Sequence, residues 1–331
     1  MEILKRINKI CNLLKVLVVL CSLFSQNIFA TDMQFVTKIL NNTKIAVVAP
    51  ASGVSSKDLA KLKSSSLDLD LQSECFNSNS PFHSADDETR FECLKNAIYN
   101  EEIEVIWCLR GGYGSAKLIE KLIKLPKPKK QKNFIGYSDI AALHIFFNQE
   151  WGWRTIHGSS LVELVRDEKN ISSILKLARL IIHKVKDTTI EDIIPLNDIA
   201  RSSNKIDASL IGGNLTIVTT SLGTDWTIQT NGKILFLEDV GVKPYQTDRL
   251  LNHLKQAKIL EGVKAIIFGS FDQDDKTTMK VLKKFADEIK IPVFKTDKFG
   301  HEKFNDPIIC NSPSFIAPAT KKGYFNLVMN W

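Results

Sequence analysis

Apolar residues along the chain form short continuous runs that alternate with helical patterns. The runs KIAVVAP, EVIWCL and FIG are typical of strands that are buried on both faces of a parallel sheet. Between the first two runs, Phe91, Leu94 and Ile98 fall on one face of a helix, and apolar residues recur at helical spacing from Ile140 to Asn148. Strands that alternate with helices predict an open α/β sheet, in which functional sites form at the carboxyl ends of the strands.

The second half of the chain continues this alternation. It contains the buried runs KILFLE, VKAIIFG and PVFK, a helix through Arg249–Lys255 and a late strand near Tyr324–Met329. A helical pattern over Ile171–His183 ends the first half, and a polar, irregular segment near Arg201–Asn204 follows it. We therefore predict one domain over residues 31–200 and a second over residues 201–331.

The first thirty residues have the features of a secretory signal peptide. An apolar run over Leu14–Phe24 is too short to span a membrane comfortably, and Ala30 comes directly before polar residues. Basic residues lie at Lys5, Arg6, Lys9 and Lys15. Ile28 fits the small-residue rule for cleavage after Ala30 poorly, so an uncleaved anchor stays open as an alternative. We expect a periplasmic protein without a stable membrane span after cleavage, with the cytoplasm as the alternative location.

Composition and charge narrow the possible partners. Of the 331 residues, 44% are hydrophobic and 24% are charged, which is typical of a globular protein with one large or two medium domains. Removing residues 1–30 takes away four basic side chains and one acidic side chain, so the formal charge falls from +7 to +4. That charge is too small to indicate nucleic-acid binding.

Cysteine and histidine spacing gives no indication of a metal site. Cys75, Cys93, Cys108 and Cys310 remain after residue 30, and they show no CxxC spacing. The sequence also lacks HExxH and other zinc-binding spacings. Disulfides are permitted in an exported protein, but the sequence assigns none. We expect neither a metal nor an organic cofactor.

Ser138 lies where a predicted strand turns into a helix, in the stretch FIGYSDIAALH. A sharp strand-to-helix turn that exposes a serine hydroxyl is typical of a nucleophile elbow, although GYSDI lacks the second glycine of G-x-S-x-G. The unpaired N–H groups at the start of the helix are suited to binding an oxyanion. In the alternative interpretation, Ser138 or Asp139 simply caps the helix. The motif alone leaves both open.

A second strand is followed by the glycine-rich loop RGGYGS, from Arg110 to Ser115. Adjacent glycines allow the backbone to approach a ligand closely and to offer N–H donors. Binding of a nucleotide phosphate is a rival interpretation, but the loop matches neither G-x-G-x-x-G nor the Walker A sequence. Ser115 is a competing nucleophile, and a helix cap is the better interpretation of this residue.

A nucleophilic serine needs a base, and the base needs a group that orients it. His301 follows the run PVFK in a loop where Gly300 gives the backbone freedom. Glu238 ends the buried run ILFLE, where a carboxylate needs a partner, and Asp239 competes for the same role. Ser138, Glu238 and His301 therefore occur in the order serine, acid, histidine, each at the end of a strand. Chain order alone does not establish a triad, because a triad is defined by geometry.

At this level of detail the chain resembles the LD-carboxypeptidase family of serine peptidases, which includes the microcin-immunity peptidases. The resemblance covers nearly the whole chain after the predicted signal, through KIAVVAPASG, DDETRFECLKNAIYNEEIEVIWCLRGGYGSAKLI, FIGYSDIAALH, TIHG, LIGGNLTIV, ILFLEDVGVKPYQTDRLLNHL and FGH. It implies an N-terminal open parallel-sheet domain of the flavodoxin or Rossmann type, and a smaller β-rich C-terminal domain. The site would lie between the domains of a protein that is usually a homodimer.

The same resemblance implies roles for individual residues. Ser138 would be the nucleophile, His301 the base and Glu238 the acid, while the N–H groups of Gly112 and Asp139 would form the oxyanion hole. The implied reaction releases terminal D-alanine from a murein tetrapeptide, without a metal or organic cofactor. A carboxypeptidase also has to hold a free carboxylate. Arg110 is a candidate for that role, with a structural ion pair as the alternative.

Two departures from the family pattern affect substrate choice and leave the triad residues in place. Ser159 and Ser160 follow TIHG where relatives often have Gly-Pro, and IICNSPSF replaces a PLPLG-like stretch. Two other functions therefore stay open. One keeps the triad but cleaves a peptidyl-nucleotide of the microcin type, and the other is a periplasmic muropeptide-binding protein that has lost activity.

Overall fold

A computed structural model describes residues 36–40, 43–76, 80–166, 171–182, 185–271 and 276–331. The predicted signal peptide over residues 1–30 and His183 lie outside these ranges. Within them, no helix is both long enough and apolar enough to cross a membrane.

The described residues form fourteen strands. Their bounds are β1 (Ile45–Val48), β2 (Leu69–Leu71), β3 (Val105–Cys108), β4 (Asn133–Gly136), β5 (Thr155–His157), β6 (Asp187–Pro195), β7 (Ile206–Asp207), β8 (Leu210–Asn214), β9 (Ile234–Glu238), β10 (Ala265–Phe268), β11 (Val293–Lys295), β12 (Ile308–Cys310), β13 (Ser314–Pro318) and β14 (Phe325–Asn330).

Helices connect most of the strands. They are α1 (Ser56–Lys63), α2 (Asp87–Tyr99), α3 (Ile119–Leu122), α4 (Ala141–Glu150), α5 (Leu161–Arg166), α6 (Ile171–Ile181), α7 (Asp198–Arg201), α8 (Leu215–Thr220), α9 (Pro244–Gln256) and α10 (Lys276–Glu288). A further helical stretch covers residues 36–40.

The first sheet has six strands in the order β12-β5-β4-β3-β1-β2. Strands β1 to β5 are parallel, and their order 2-1-3-4-5 is that of flavodoxin-like folds. At the edge, β12 arrives from the other half of the chain and pairs antiparallel with β5. The predicted α/β class with an open parallel sheet is therefore confirmed. In this topology the carboxyl ends of β3 and β4 are neighbours, which brings the loops after these two strands together.

The second sheet has eight strands in the order β7-β13-β14-β6-β11-β10-β9-β8. Strands β8 to β11 are parallel, whereas β6, β7, β13 and β14 form an antiparallel extension. Strand β6 belongs to this sheet although it precedes residue 200, and β12 returns to the first sheet. The chain therefore crosses from one sheet to the other at β6 and crosses back at β12. The division into two domains at residue 200 stays a prediction.

Alternate residues of the buried strands contribute to two hydrophobic clusters. In β3, Ile106 and Cys108 belong to one cluster, and Val105 and Trp107 belong to the other. This alternation follows from the two-residue period of a strand, and the whole of β3 is buried because both faces are covered. Each cluster contains residues from both sheets, so the two halves of the chain share their cores.

A disulfide between Cys75 and Cys93 joins the segment before residue 76 to α2, and Cys108 and Cys310 are free and buried. The two bonded residues are 18 positions apart. Spacing alone did not reveal this pairing because two cysteines bond only when the fold brings their Cα atoms close. A disulfide also fits an oxidising compartment, which is where an exported protein would fold.

Replacing both Cys75 and Cys93 by serine should lower the free energy of unfolding by about 3 kcal/mol, because the cross-link removes loop entropy from the unfolded chain. Urea denaturation measures this difference. As a control, alkylation of the unfolded chain from Thr31 should modify two thiols without reductant and four with it. Modification of all four thiols without reductant would show that the bond is absent.

Candidate active site

Ser138 occupies the turn between β4 and α4, and its backbone φ is +63°. A positive φ is uncommon for a residue with a side chain, and it is a feature of the strained nucleophile elbow. Neither the short turn Ser138–Ile140 nor α4 has a side-chain N-cap bond. Ser138 and Asp139 therefore do not cap this helix, and the capping interpretation is wrong.

The glycine-rich loop after β3 lies directly against this turn. A Cβ atom on Gly111 would come within 2.8 Å of the Ser138 Cβ atom, so no side chain fits there. Gly112 has a φ of +108°, and a side chain on it would collide with the Ser52 hydroxyl. Gly111 thus allows the backbone of the loop to approach Ser138, and Gly112 allows it to approach Ser52, more closely than other residues would permit.

Hydrogen bonds from the loop hold the turn in place. The carboxylate of Asp139 accepts from the backbone N–H groups of Ser115 at 2.8 Å and Gly114 at 3.3 Å. The buried hydroxyl of Ser115 donates to the backbone carbonyl of Asp139 at 2.6 Å. Ser115 is therefore neither a cap nor an available nucleophile. Burial raises the pKa of Asp139, and the hydrogen bonds from Ser115 and Gly114 oppose that rise.

Glu238 ends β9 and forms a hydrogen bond with His301, at 2.6 Å between Oε2 and Nδ1. Burial alone would raise the pKa of the fully buried Glu238, but the charge and hydrogen bond of His301 outweigh it and leave the pKa lowered. An ionised Glu238 accepts from Nδ1–H of His301, which leaves Nε2 as the basic nitrogen. Gly300 has a φ of +119°, and a Cβ atom on it would lie 3.2 Å from the Glu238 Oε2 atom.

Asp239, the rival acid, has a different environment. Its carboxylate accepts from the amide of Asn214 at 2.8 Å, and from the backbone N–H and the hydroxyl of Thr216 at 2.9 and 2.7 Å. Burial and the neighbouring Glu238 raise the pKa of Asp239. This carboxylate therefore ties β9 to the start of α8, and Glu238 is the one that contacts His301.

A cavity of about 330 Å³ brings four of the predicted residues together. It is lined by Arg110, Gly111, Gly112, Tyr137, Ser138, Ser160, Val162, Glu163, Arg166, Val240 and His301. Glu238 lies behind His301 and does not line the cavity. The Asp139 side chain also lies outside the lining, because it is hydrogen-bonded to the backbone of the glycine-rich loop. In the part of the chain that the structure describes, no three side chains of His, Cys, Asp or Glu are grouped in a way that could hold a metal ion.

Comparison with known proteins decides the family. A profile of the LD-carboxypeptidase N-terminal domain matches residues 45–158, and a profile of the C-terminal domain of the same family matches residues 207–314. Together they cover more than half of the chain. The chain belongs to the LD-carboxypeptidase family. The resemblance inferred from the motifs is thereby confirmed.

Individual relatives of the chain agree with that assignment. A Rickettsia conorii protein named "Putative carboxypeptidase" is 55% identical over 292 residues, which cover 88% of this chain and 92% of the relative. The murein tetrapeptide carboxypeptidase of Pseudomonas aeruginosa is 27% identical over 280 residues, covering 78% of this chain and 88% of the relative.

Solved structures share the fold. The crystal structure of the muramoyltetrapeptide carboxypeptidase from Oxalobacter formigenes has a TM-score of 0.74 at 24% identity, covering 87% of this chain and 99% of that chain. The microcin C7 self-immunity protein MccF in complex with aspartyl sulfamoyl adenosine has a TM-score of 0.71 at 18% identity, covering 87% of this chain and 96% of that chain.

Three residues of the cavity with polar or charged side chains were missed at the level of sequence, namely Tyr137, Glu163 and Arg166. The Tyr137 hydroxyl donates to the carboxylate of Glu163, which also accepts from the backbone N–H of Ser160 at 2.9 Å. Arg166 adds a second cation to the cavity beside Arg110. The sequence did contain a signal for two of these residues. Glu163 and Arg166 are three positions apart in LVELVR, so they lie on one face of the short helix that follows the buried strand β5.

Arg110 itself is exposed, and its guanidinium lies 3.4 Å from the carbonyl oxygen of Gly53. None of the ion pairs between described residues includes Arg110. The proposed role of Arg110 in holding a carboxylate therefore stays compatible with its surroundings.

The pair of Arg166 and Asp58 gives a pH-dependent contribution to stability. Hydrogen bonds from Arg166 and Ser55 lower the pKa of Asp58 from 3.8 to about 2. Because the folded-state pKa is the lower one, the contribution is fully present above pH 4 and is lost as the pH falls towards 2.

We therefore expect Asp58→Asn to lower the Tm by about 2–4 °C at pH 7 and to have little effect near pH 2. Thermal unfolding followed by circular dichroism at the two pH values measures the difference. The matched control is Asp207→Asn, which breaks the exposed pair with Lys205 and should change the Tm by less than about 1 °C. An equal Tm loss for Asp58→Asn at both pH values would contradict the prediction.

Proposed function

We propose that this chain is a serine LD-carboxypeptidase that releases terminal D-alanine from murein tetrapeptides with a Ser-His-Glu triad. The observation that carries the proposal is the hydrogen bond between His301 and Glu238 at the edge of the cavity that Ser138 also lines. Membership of the family and the two relatives named for murein or muramoyl tetrapeptides support the substrate class.

The proposed reaction begins with attack of Ser138 Oγ on the carbonyl carbon of the last peptide bond, while His301 Nε2 takes the hydroxyl proton. The tetrahedral intermediate collapses as His301 gives that proton to the leaving amine of D-alanine. Water then attacks the acyl-enzyme while His301 Nε2 takes a proton from the water, and His301 passes that proton to Ser138 Oγ as the shortened peptide leaves. Glu238 holds the ring of His301 and stabilises its positive charge throughout.

The negative charge of the intermediate needs donors that are already in place. We assign this role to the backbone N–H groups of Gly112 and Asp139, because the loop of Gly112 lies against the turn of Ser138. The free carboxylate of the substrate also needs a cation. Arg110 is our candidate, and Arg166 lies in the same cavity as a second cation.

Mass spectrometry of a murein tetrapeptide incubated with the chain from Thr31 to Trp331 tests the proposal. The expected products are the tripeptide and free D-alanine, formed by the wild type and absent with Ser138→Ala. A tetrapeptide whose last residue is L-alanine is the matched control and should stay intact. No cleavage of the D-alanine peptide by the wild type would reject this substrate.

A second candidate substrate is a peptidyl-nucleotide of the microcin type. Phe82 and Tyr113 favour it, because their rings pack at 6.4 Å and expose 61% and 56% of their surface beside a cavity that Arg110 also lines. Exposed rings of this kind can stack on a nucleobase. The same mass-spectrometric assay with an aspartyl sulfamoyl adenosine substrate decides between the two, since release of aspartate would favour this candidate.

A binding protein without activity is the remaining alternative. It predicts tetrapeptide binding with equal affinity by the wild type and by Ser138→Ala, and no product from either.

Export to the periplasm and the homodimer stay predictions. The disulfide between Cys75 and Cys93 supports export, because cytosolic thiols are normally kept reduced.

A further inference from the structure

His157, the last residue of β5, is fully buried, and neither of its ring nitrogens has a hydrogen-bond partner among the described residues. A buried polar group without a partner is unfavourable, so such a group in a folded protein requires an explanation. His144, the second buried histidine in the part of the chain that the structure describes, has partners for both nitrogens. Its two nitrogens lie 2.8 Å from the hydroxyl of Thr155 and 2.8 Å from the carbonyl oxygen of Gly136.

The ring of His157 lies beside the proposed triad. It packs against the ring of Phe236 with the centroids 5.2 Å apart, and Phe236 and Glu238 lie on the same face of β9 because they are two residues apart. On its other side is the ring of Tyr137 at 6.0 Å, and that same ring lies 4.8 Å from the ring of His301.

Two further buried polar atoms near the pair of Glu238 and His301 lack partners. Glu238 uses Oε2 for His301, and its Oε1 atom has no hydrogen-bond partner of normal length among the described residues. The Asn214 amide donates to Asp239 at 2.8 Å, and it is close enough to Glu238 to help lower the pKa of that carboxyl. The side-chain nitrogen of Asn305 is also unpaired, while the Asn305 oxygen accepts from the backbone N–H of Gly300 at 3.2 Å, directly before His301. Residue 308, three positions after Asn305, is the partner of His157 in the register of β5 and β12.

Unpaired donors and acceptors that cluster in a buried region are the usual partners of an internal water, which typically makes about three hydrogen bonds. Glu238 Oε1 can only accept, the Asn305 amide nitrogen can only donate, and a neutral imidazole can do either. We infer that His157 is a positioning residue for the triad, and that an internal water shared with Asn305 links its ring to the Oε1 atom of Glu238. This inference rests on the triad in the proposed function.

The link would hold the carboxylate of Glu238 at both oxygens. Without it, Oε1 would lose a donor, and the negative charge of Glu238 would be shared with fewer groups, of which His301 and the Asn214 amide remain. The ring of His157 is neutral at physiological pH, because burial lowers its pKa to about 4 even though the charge of Glu238 opposes that change. The titratable side chains that face His157 are Glu238 on β9, His301 on its loop, Tyr137 after β4 and His144 on α4.

The test replaces His157 by phenylalanine and follows the pKa of His301 by NMR of ring-labelled histidine, with His301→Gln for the assignment. This readout does not require turnover. With fewer hydrogen-bond donors on Glu238, its negative charge should stabilise protonated His301 more strongly. The pKa of His301 should therefore rise by about 0.5 to 1 unit. The kcat for the tetrapeptide should fall by about tenfold with little change in KM, and the acid limb of the pH–rate profile should move upward with the pKa of His301.

His144→Phe is the matched control. It removes a buried histidine with two hydrogen bonds, so it should lower the Tm, but it should leave the pKa of His301 in place. His157→Gln keeps a donor and an acceptor and should restore the wild-type pKa of His301. If His157→Phe fails to fold, two other variants test the link. The link is supported if His157→Gln keeps the wild-type pKa of His301 and a kcat near that of the wild type, and if Asn305→Leu raises the pKa of His301.

The inference is overturned if folded His157→Phe leaves the pKa of His301 unchanged. If the phenylalanine variant does not fold, an unchanged pKa of His301 in Asn305→Leu has the same meaning. A shift as large in His144→Phe would do the same, because it would assign the effect to general packing. These results are separate from the failure of the proposed function. If the tetrapeptide is not cleaved but the pKa of His301 moves as expected, the substrate is wrong and the positioning role holds.

Discussion

Replacing Ser138 by alanine should lower kcat for the release of D-alanine by about 10⁵-fold or more, with little effect on stability. In the proposed triad the nucleophile acts together with the base, so removing Ser138 would remove the benefit of both, which explains the size of the expected loss. The change itself is small. Ser138 is partly exposed at the cavity, and alanine adds no atom that would meet Gly111. The measurement is the initial rate of D-alanine release at saturating tetrapeptide.

Ser115→Ala is the control for this prediction, since Ser115 was the competing nucleophile. Its hydroxyl is committed to the carbonyl of Asp139, so its removal should reduce kcat by less than about tenfold and should mainly lower the Tm. Comparable turnover by Ser138→Ala and the wild type would exclude Ser138 as the nucleophile. Loss of activity only in Ser115→Ala would transfer that role to the other serine.

Replacing Glu238 by glutamine should lower kcat by about 10³- to 10⁴-fold and leave KM nearly unchanged. Glutamine has the same shape, but it lacks the negative charge that, in the proposed mechanism, stabilises the His301 imidazolium in the transition state. The pKa of His301 should also fall, because a neighbouring anion raises the pKa of a histidine. The acid limb of the pH–rate profile should therefore move to lower pH, opposite to the shift expected for His157→Phe.

Asp239→Asn is the control for Glu238→Gln. It removes a neighbouring buried carboxylate that does not contact His301, so it shows what the loss of a buried negative charge does by itself. Asp239 is also buried and follows Glu238 directly, but it bonds Asn214 and Thr216 rather than His301. The asparagine variant should keep kcat within about tenfold and lose stability. If Asp239→Asn lost as much kcat as Glu238→Gln with an unchanged Tm, the assignment of the acid would be wrong.

The strand and helix pattern could be predicted well where apolar runs are continuous. The runs from KIAVVAP to PVFK all appear as strands, and Phe91, Leu94 and Ile98 form the buried face of α2 as predicted. The predicted helix over Ile171–His183 appears as Ile171–Ile181. Burial on both faces leaves a strong local signal, because every position of such a strand has to be apolar.

Capping at the two turns of the site could not be predicted with the same success. Ser138, Asp139 and Ser115 all have residue types that favour caps, yet none of them caps a helix. The side chains of Asp139 and Ser115 bond each other's backbone across two different loops instead. A cap is a local interaction, and a tertiary contact between loops replaced it here because β3 and β4 are neighbours in the sheet.

The sequence by itself determined the α/β class, the family and the three candidate side chains Ser138, Glu238 and His301. Each of these follows from contiguous residues, either an apolar run or a motif at the end of one. Only the tertiary structure decided that Glu238 rather than Asp239 contacts His301, since adjacent residues of a strand point to opposite faces.

Contacts between residues far apart in the chain were also decided only by the fold. The pairing of Cys75 with Cys93, the return of β12 to the first sheet, and the burial of His157 beside Phe236 leave no local pattern. They depend on how the strands are ordered within the two sheets. Strand order is set by the packing of the whole chain, because the apolar faces can be buried only once both sheets have formed.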